Sequence, residues 1–224
     1  MPRLPFITFE GSEGSGKSTQ ADRLAARLKQ CGVPCILTRE PGGTPIGETI
    51  RELLQFAPHN STMTAEAELL LFEASRSQLV REVIKPALEH GMCVIADRFF
   101  DSTTVYQGAA RNLDREMIDG FNAFAVGDCV PDITFVLDVD AATAETRMQH
   151  QRRKADRMEQ QPAEFHERVR RGYRELATHE PVRIVLVDGR READVIDNEI
   201  WRTFCSRFPL LAKTSNIEHP TSNI

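Results

Sequence analysis

A glycine-rich run near the start of the chain carries the residue types that hold nucleotide phosphates. The run Gly11-Ser12-Glu13-Gly14-Ser15-Gly16-Lys17-Ser18 fits the pattern GxxxxGK[ST], with an apolar stretch ending at Phe9 before it and an amphipathic stretch over 17–30 after it. Glycines let backbone N–H groups surround phosphate oxygens at a helix N-terminus, the lysine supplies a cation, and the serine hydroxyl is a ligand for Mg²⁺. We therefore predict that this run and Thr19 bind ATP, with Lys17 as a catalytic cation and Ser18 as a metal ligand.

Three arginines and an aspartate fall close to the predicted ends of strands. Arg39 lies just after the second strand, Arg51 on the following helix, and Arg98 just after the third strand. Forked guanidinium groups suit a dianionic phosphate, so the three arginines could bind one phosphate group. For Arg51 the alternative is a solvated surface charge, which is common for a lone arginine on a helix. Asp97 ends the third strand, where a carboxylate can act on Mg²⁺ or cap a turn. We predict that Asp97 contributes to the metal site and that Asp97 and Arg98 are catalytic.

The elements that must position these groups alternate along the chain. Short β-branched and apolar runs predict strands over 6–9, 34–38, 93–96, 133–137 and 184–187. Segments of helical period predict helices over 16–31, 44–56, 64–90, 114–126, 141–150, 162–178 and 191–207. A strand followed by a helix, five times over, is typical of a five-stranded parallel sheet with helices on both faces, and ligands bind such sheets beyond the carboxyl ends of the strands.

Composition narrows the class of protein. The 224 residues fit one domain, which we place at 1–208, and the polar stretch 209–224 is predicted to be a flexible tail. No stretch has the ~20 apolar residues of a membrane span, and the N-terminus has no signal-peptide core, so we expect a cytoplasmic protein without a membrane partner. A net charge of −5 argues against nucleic-acid binding. The five cysteines form no CxxC pair and suit a reducing compartment.

Five further stretches, in this order and spacing, resemble bacterial thymidylate kinases over about residues 6–190. They are Phe9 to Gly14, Thr38-Arg39-Glu40-Pro41-Gly42-Gly43-Thr44, Leu71-Phe72-Glu73-Ala74-Ser75-Arg76, Asp97-Arg98 with Ser102-Thr103 and Tyr106-Gln107-Gly108, and Asp156-Arg157-Met158-Glu159. The resemblance implies a P-loop nucleoside-monophosphate-kinase-like fold with a mobile lid. It also implies transfer of the γ-phosphoryl group of Mg-ATP to dTMP, giving dTDP and ADP, by a chain that is commonly a homodimer. The predicted 64–90 helix could furnish the contact between subunits.

The resemblance assigns the acceptor site residue by residue. Phe72 would stack on thymine and Arg76 would donate to a base carbonyl. The two residues are four apart on a predicted helix, so both side chains can lie on one face. The alternative is a phenylalanine in the core beside an arginine on the surface, which is the commoner arrangement for these residue types. Thr103, Tyr106 and Gln107 would line the nucleoside pocket. The complete predicted dTMP site is Glu13, Arg39, Arg51, Phe72, Arg76, Arg98, Thr103, Tyr106 and Gln107.

A basic run over 147–157 is the predicted source of a further catalytic arginine. The variable positions of the phosphate-binding loop hold no arginine, yet the transferred phosphoryl group needs positive charge beyond Lys17 and Mg²⁺. The run resembles the lid, about 147–161, of the bacterial subgroup that keeps its catalytic arginine there. Arg152 is our first assignment and Arg153 the second, while the alternative is a solvated helix face or a weak nucleic-acid patch.

Two other functions fit the phosphate-binding loop. A deoxynucleoside kinase would use the same loop, but its uncharged acceptor would leave the arginines without an anion. A P-loop regulatory ATPase would couple hydrolysis to partner binding and would phosphorylate no acceptor. No guanine-selective NKxD sequence is present, which disfavours a GTPase.

Overall fold

The protein folds around a five-stranded parallel sheet, as the alternating pattern predicts. The structure is a computed structural model that describes residues 3–149 and 156–212. The strands are β1 (Phe6–Glu10), β2 (Cys35–Arg39), β3 (Cys93–Asp97), β4 (Ile133–Asp138) and β5 (Ile184–Asp188), in the spatial order β2-β3-β1-β4-β5. All neighbouring strands pair in parallel, so their carboxyl ends meet at one edge of the sheet. The predicted fold class is confirmed.

Helices connect the strands in chain order. They are α1 (Lys17–Gln30), α2 (Pro45–Gln55), α3 (Ala65–Leu79), α4 (Lys85–Glu89), α5 (Phe100–Thr103), α6 (Arg115–Val126), α7 (Ala141–Gln149), α8 (Ala163–His179), α9 (Ala193–Arg207) and α10 (Pro209–Ala212). A 3-10 turn covers Asn60–Thr62, a π turn over Val80–Ile84 joins α3 to α4, and a second π turn over Thr104–Ala110 extends α5.

The alternation of side chains along β1 explains why both faces of the sheet are covered. Ile7 and Phe9 point to one face, where α1 and α9 pack, and Phe6 points to the other, where α3, α4 and the start of α5 pack. Parallel strands are buried on both faces, and every residue of β1 is buried. The sheet is therefore a rigid core, and its carboxyl edge is the natural place for a site.

The helices begin where the sequence supplies caps. The Thr64 hydroxyl accepts a hydrogen bond from the Ala67 N–H at 3.2 Å and starts α3, and Thr44 accepts from the Gly47 N–H at 3.0 Å and starts α2. Because both caps fix the first turn, they set which faces of α2 and α3 turn towards the carboxyl edge of the sheet.

One stretch departs from the predicted elements. Residues 100–110 are helical, although no predicted element covers them; they are buried against α8, where Tyr106 packs edge-on to Phe165 and Tyr173. The predicted tail 209–224 begins with the short helix α10, and its Leu211 packs on the core. Residues 150–155 of the predicted lid lie outside the described residues.

Candidate active site

The glycine-rich run forms a loop between β1 and α1 that only glycine could form at its tightest points. Gly11 has φ +139° and Gly14 has φ +70°, and a Cβ added at either would lie 2.6 Å from a backbone carbonyl oxygen. Lys17 follows the loop at the start of α1, buried, and its Nζ donates to the Ser12 carbonyl oxygen and to Glu13 Oε2, each at 3.3 Å. The loop therefore fixes a lysine amine beside the N-terminus of α1, the kind of place where helices bind phosphate.

A cavity of about 460 Å³ lies over this loop. Its lining includes the predicted ATP residues from Glu13 to Thr19, together with Arg147 of α7 and Arg190 and Arg191, which follow β5. Arg147 Nη1 donates to the Ser15 carbonyl oxygen at 3.3 Å. The last two arginines were not among the predicted ATP-binding residues.

Ser18 and Asp97 meet at the edge of the phosphate-binding loop. The Ser18 hydroxyl donates to Asp97 Oδ2, while Asp97 Oδ1 is buried with no hydrogen-bond partner among residues 3–149 and 156–212. An orphaned carboxylate oxygen next to a hydroxyl fits Mg²⁺, which takes oxygen ligands and keeps several waters. No cluster of three or more His, Cys, Asp or Glu side chains suited to a metal occurs in the described part of the chain. A metal here would therefore need phosphate and water ligands as well.

A second cavity, of about 480 Å³, lies beside the loop at the carboxyl edge of the sheet. Of the predicted acceptor residues, it is lined by Glu13, Arg39, Arg51, Phe72, Arg98, Thr103, Tyr106 and Gln107. Further lining comes from residues without a predicted role, among them Glu40, Ser102, Asp156 and Met158, although all four belong to the stretches that carry the family resemblance. Glu13 and Met158, which are 145 positions apart in the sequence, thus share one site.

Arg98 is held by more hydrogen bonds than Arg39 or Arg51. Its Nη2 donates to Glu13 Oε1 and, at 3.1 Å, to the Tyr106 hydroxyl, and its Nη1 donates to Ser102 Oγ at 3.0 Å. Its φ of +73° is left-handed, which costs energy for any residue with a Cβ. Burial opposes ionisation of Glu13, but Arg98 and Lys17 hold the pKa of that carboxyl below its usual range. Of the two cations in this ion-paired cluster, Lys17 lines both cavities and Arg98 lines the second one.

Glu10, at the end of β1, supports Arg98 from below. It is buried, and its carboxylate accepts hydrogen bonds from the Phe99 N–H at 2.7 Å, Ser102 Oγ at 2.6 Å and the Tyr173 hydroxyl at 2.7 Å. Burial raises the pKa of Glu10. In the sequence, Glu10 stood out only as part of the Phe9-Glu10-Gly11 motif. In the structure, the contacts of Glu10 join three elements that are distant in the chain.

Arg39 and Arg51 are held more loosely. Arg39 Nη2 donates to Glu48 Oε2 at 2.8 Å, with both side chains about half exposed, and Arg51 Nη1 donates to the Pro41 carbonyl oxygen at 2.9 Å. Burial and then the nearby Arg39 lower the pKa of Arg51. An anion placed between these two arginines would relieve their mutual repulsion.

Arg76 lies behind the cavity wall instead of in its lining. Its guanidinium is 1% exposed and donates to Glu40 Oε2 at 2.6 Å, to Glu73 Oε1, and to Thr103 Oγ1 at 2.9 Å. Phe72, four residues earlier, does line the cavity. The role of Arg76 towards a base therefore stays a prediction, and in this structure Arg76 braces Thr103 and Glu40.

The two arginines predicted to be catalytic in the lid, Arg152 and Arg153, lie outside the described residues. On either side of that segment, α7 and the stretch from Asp156 border a third cavity of about 290 Å³, lined by residues such as Ser12, Glu13, Glu145 and Glu159. Both flanks of the segment thus lie beside the phosphate-binding loop.

Comparisons with known proteins agree on one family. A family model described as thymidylate kinase matches residues 9–200. The chain is 46% identical over 204 residues to a thymidylate kinase of Afipia carboxidovorans, covering 90% of this chain and 89% of that one. It is 48% identical over 198 residues to one of Halothermothrix orenii, covering 88% and 94%. The fold is similar to a crystal structure of thymidylate kinase from Ehrlichia chaffeensis, with a TM-score of 0.73, 37% identity, and 91% and 99% of the two chains covered.

Proposed function

The chain belongs to the thymidylate kinase family, and we propose that it transfers the γ-phosphoryl group of ATP to dTMP, giving dTDP and ADP. The motif resemblance to the family is thereby confirmed. The observation that carries the proposal is that two cavities, of about 460 and 480 Å³, share Glu13, Lys17 and Ser18 in their linings. A triphosphate donor in the first and a monophosphate acceptor in the second would meet at the Lys17 amine.

The acceptor phosphate binds between Arg39, Arg51 and Arg98. Forked donors hold a dianionic phosphate with one oxygen in line with the donor phosphorus, which is the main requirement for phosphoryl transfer. That oxygen is already ionised near neutral pH, so it attacks directly and no covalent enzyme intermediate or catalytic base is needed. The same three arginines disfavour a deoxynucleoside kinase, because thymidine would bring them no anion.

The nucleoside lies over Phe72, with Thr103, Tyr106 and Gln107 along its sides. The apolar face of Phe72 stacks on the pyrimidine. The Tyr106 ring, held by Phe165 and Tyr173, crowds the position of a ribose 2′-hydroxyl and so favours a deoxynucleotide. Arg76 contributes either by reaching the base or by holding Thr103 in the wall.

Ser18 and Asp97 would hold the Mg²⁺ that accompanies ATP, and the metal would neutralise negative charge on the donor phosphates. Lys17 adds a second cation from the loop, and the backbone N–H groups of residues 11–19 hold the phosphates in place. Because Lys17 is buried and paired with Glu13, its amine is already fixed at the loop before substrates arrive.

Arg152, or Arg153 beside it, supplies the remaining positive charge when the lid closes. Closure also excludes water and so limits hydrolysis of ATP. Replacing both arginines by glutamine should lower kcat by at least about a hundredfold while dTMP still binds, because a transition-state contact affects turnover more than ground-state binding. Replacing Arg171 and Arg202, which are exposed and far from either cavity, is the matched control. Unchanged turnover in the lid variant would remove the lid arginines from the mechanism.

A transfer assay tests the function as a whole. Mg-ATP is supplied with dTMP, dUMP, dCMP, dGMP, UMP or thymidine, and formation of the diphosphate is followed directly. A strong preference for dTMP is expected. Preference for another monophosphate would keep the kinase chemistry and overturn the base assignment, whereas ADP release without a phosphorylated acceptor would favour a regulatory ATPase.

The active form is a homodimer joined through α2, α3 and α6. Helix α3 packs against both α2 and α6, and these three helices expose large apolar side chains: Ile46, Leu53, Leu70, Met117 and Phe124. Phe124 is 76% exposed, which is unusual for a phenylalanine outside an interface. Light scattering should give twice the chain mass, and Leu70→Glu with Phe124→Glu should give the monomer; a wild-type monomer at micromolar concentration would contradict the proposal.

The place of action is proposed to be the cytoplasm, where ATP and reduced cysteines coexist. In the described part of the chain, no helix combines the length and the apolar character needed to cross a membrane.

A further inference from the structure

Glu68, a residue of α3 that no motif singled out, is buried directly behind the nucleoside cavity. It lies four residues before Phe72, and its side chain is 1% exposed. Glu68 Oε1 accepts a hydrogen bond from Gln107 Nε2 at 2.7 Å and from Arg111 Nε at 3.3 Å. Glu68 Oε2 accepts from Arg111 Nη2 at 3.2 Å and lies 2.5 Å from Arg157 Nη2. A buried carboxylate therefore joins a cavity residue to two guanidinium groups.

The chemistry of this carboxylate decides which way the Gln107 amide faces. A carboxylate between two guanidinium groups can only accept hydrogen bonds, so Gln107 must turn its NH₂ group towards Glu68. The opposite orientation would bring two acceptor oxygens together. Gln107 lines the cavity, and its Oε1 has no donor within residues 3–149 and 156–212. An acceptor oxygen without a donor is thus presented at the pocket that holds the base.

We infer that Glu68 is a positioning residue that makes the pocket select pyrimidines with a hydrogen on N3. Thymine and uracil carry this N3–H group and can donate it to Gln107 Oε1. The N3 atom of cytosine is an acceptor, so in the cytosine complex two acceptor atoms would face each other. A buried acceptor left without its donor weakens binding by roughly tenfold to a hundredfold. The inference rests on the proposed function and adds to it the residue that sets its base selectivity.

Glu68→Gln tests the inference, because it keeps the shape of the side chain but replaces a carboxylate, which can only accept hydrogen bonds, by an amide, which can also donate them. The amide introduced by this substitution can present either its oxygen or its NH₂ group, so the Gln107 amide is free to turn and offer a donor to cytosine. The ratio of kcat/KM for dTMP to that for dCMP should fall by at least tenfold, mainly through a lower KM for dCMP. A general loss of protein stability would not change this ratio. A thermal unfolding curve of each variant measures any such loss separately.

Arg111→Gln is the matched control, because it weakens the charge pairing of the same carboxylate and leaves the contact with Gln107. Its selectivity ratio should stay within threefold of the wild-type ratio. If Arg111→Gln lowers the ratio as much as Glu68→Gln does, or if Glu68→Gln leaves it unchanged, the inference is overturned.

The remaining outcomes are separable. If Glu68→Gln does not fold, Glu68→Asp decides: it keeps the charge but draws the carboxylate back by about 1.5 Å, one carbon–carbon bond, so the ratio should fall at least threefold and an unchanged ratio overturns the inference. If the wild-type protein does not prefer dTMP, the proposed function itself fails and this inference with it. If the wild type prefers dTMP and the Glu68 variants do so equally, only this inference fails.

Discussion

An ion pair remote from both substrates offers a sharp test of what holds the sheet and its helices together. Arg183, just before β5, donates to Asp101 Oδ2 at 2.6 Å and Oδ1 at 2.8 Å, and to Thr134 Oγ1 at 2.9 Å. The Asp101 side chain is 1% exposed. Arg183→Met keeps an apolar stem and removes the guanidinium, so the Thr134 hydroxyl, at 3.2 Å, is the one side-chain donor that the carboxylate keeps within residues 3–149 and 156–212.

The structure sets the size of the expected effect. Breaking a buried ion pair by removing one partner costs about 3–5 kcal/mol of unfolding free energy, because the remaining charge stays buried without compensation. For a chain of this size, 1 kcal/mol shifts the unfolding midpoint by about 2–4 °C, so Arg183→Met should lower it by roughly 6–20 °C. Arg183 does not line the cavities assigned to ATP and dTMP, so kcat at 25 °C should stay within about twofold.

Urea unfolding at pH 7, followed by circular dichroism, measures this change. Arg115→Met, which breaks the exposed pair with Asp119, should cost less than about 1 kcal/mol and serves as the control. Arg183→Met combined with Asp101→Asn should recover part of the loss, because the stranded charge is gone. A loss below about 1 kcal/mol for Arg183→Met, or a double variant no more stable than the single one, would refute the reasoning.

Three more predictions concern the site. Arg98→Gln should lower kcat/KM for dTMP by at least about tenfold through lost charge-assisted bonds, with KM for ATP nearly unchanged. Steady-state kinetics with each substrate varied in turn measures both effects. An equal loss for ATP and dTMP would contradict the assignment. Burial raises the pKa of Glu40 to about 7 from 4.5, so the folded state binds this proton more tightly than the unfolded chain. The wild type should therefore lose up to about 3 kcal/mol relative to Glu40→Gln as the pH rises from about 4.5 to 7, which unfolding curves across that range would show; a constant difference would exclude the raised pKa. Gly14→Ala should raise KM for ATP about tenfold, because its φ is +70° and its new Cβ would meet the Ala144 carbonyl oxygen at 2.6 Å, whereas Gly120→Ala meets no atom within 4 Å and should leave KM unchanged.

Local sequence patterns were enough to predict most of the fold. Short β-branched and apolar runs located every strand, and runs of helical period located most helices, because such patterns report the burial of a segment regardless of its partners. The phosphate-binding loop could also be read directly, since the glycines, Lys17 and Ser18 act together within eight consecutive residues. The strand ends at Arg39 and Asp97 followed from the rule that parallel strands share a carboxyl edge.

Residues 100–110 show where this reasoning stopped. Their Ser, Thr and Gly content disfavours a helix, and the segment is helical because Tyr106 is buried against Phe165 and Tyr173, from a helix some sixty residues later in the chain. Tertiary burial overrides a weak local propensity.

The family, the parallel sheet and the glycine-rich loop between β1 and α1 could therefore be predicted from local sequence patterns. The tertiary structure alone decided which partners those residues have: Arg76 is held by Glu40, Gln107 is turned by Glu68, and Arg98 is supported by Glu10. These partners lie 36 to 88 positions apart, and a residue's own neighbours in the sequence carry no information about them. Whether a charged side chain is free for substrate or already paired depends on distances that exist only once the chain has folded.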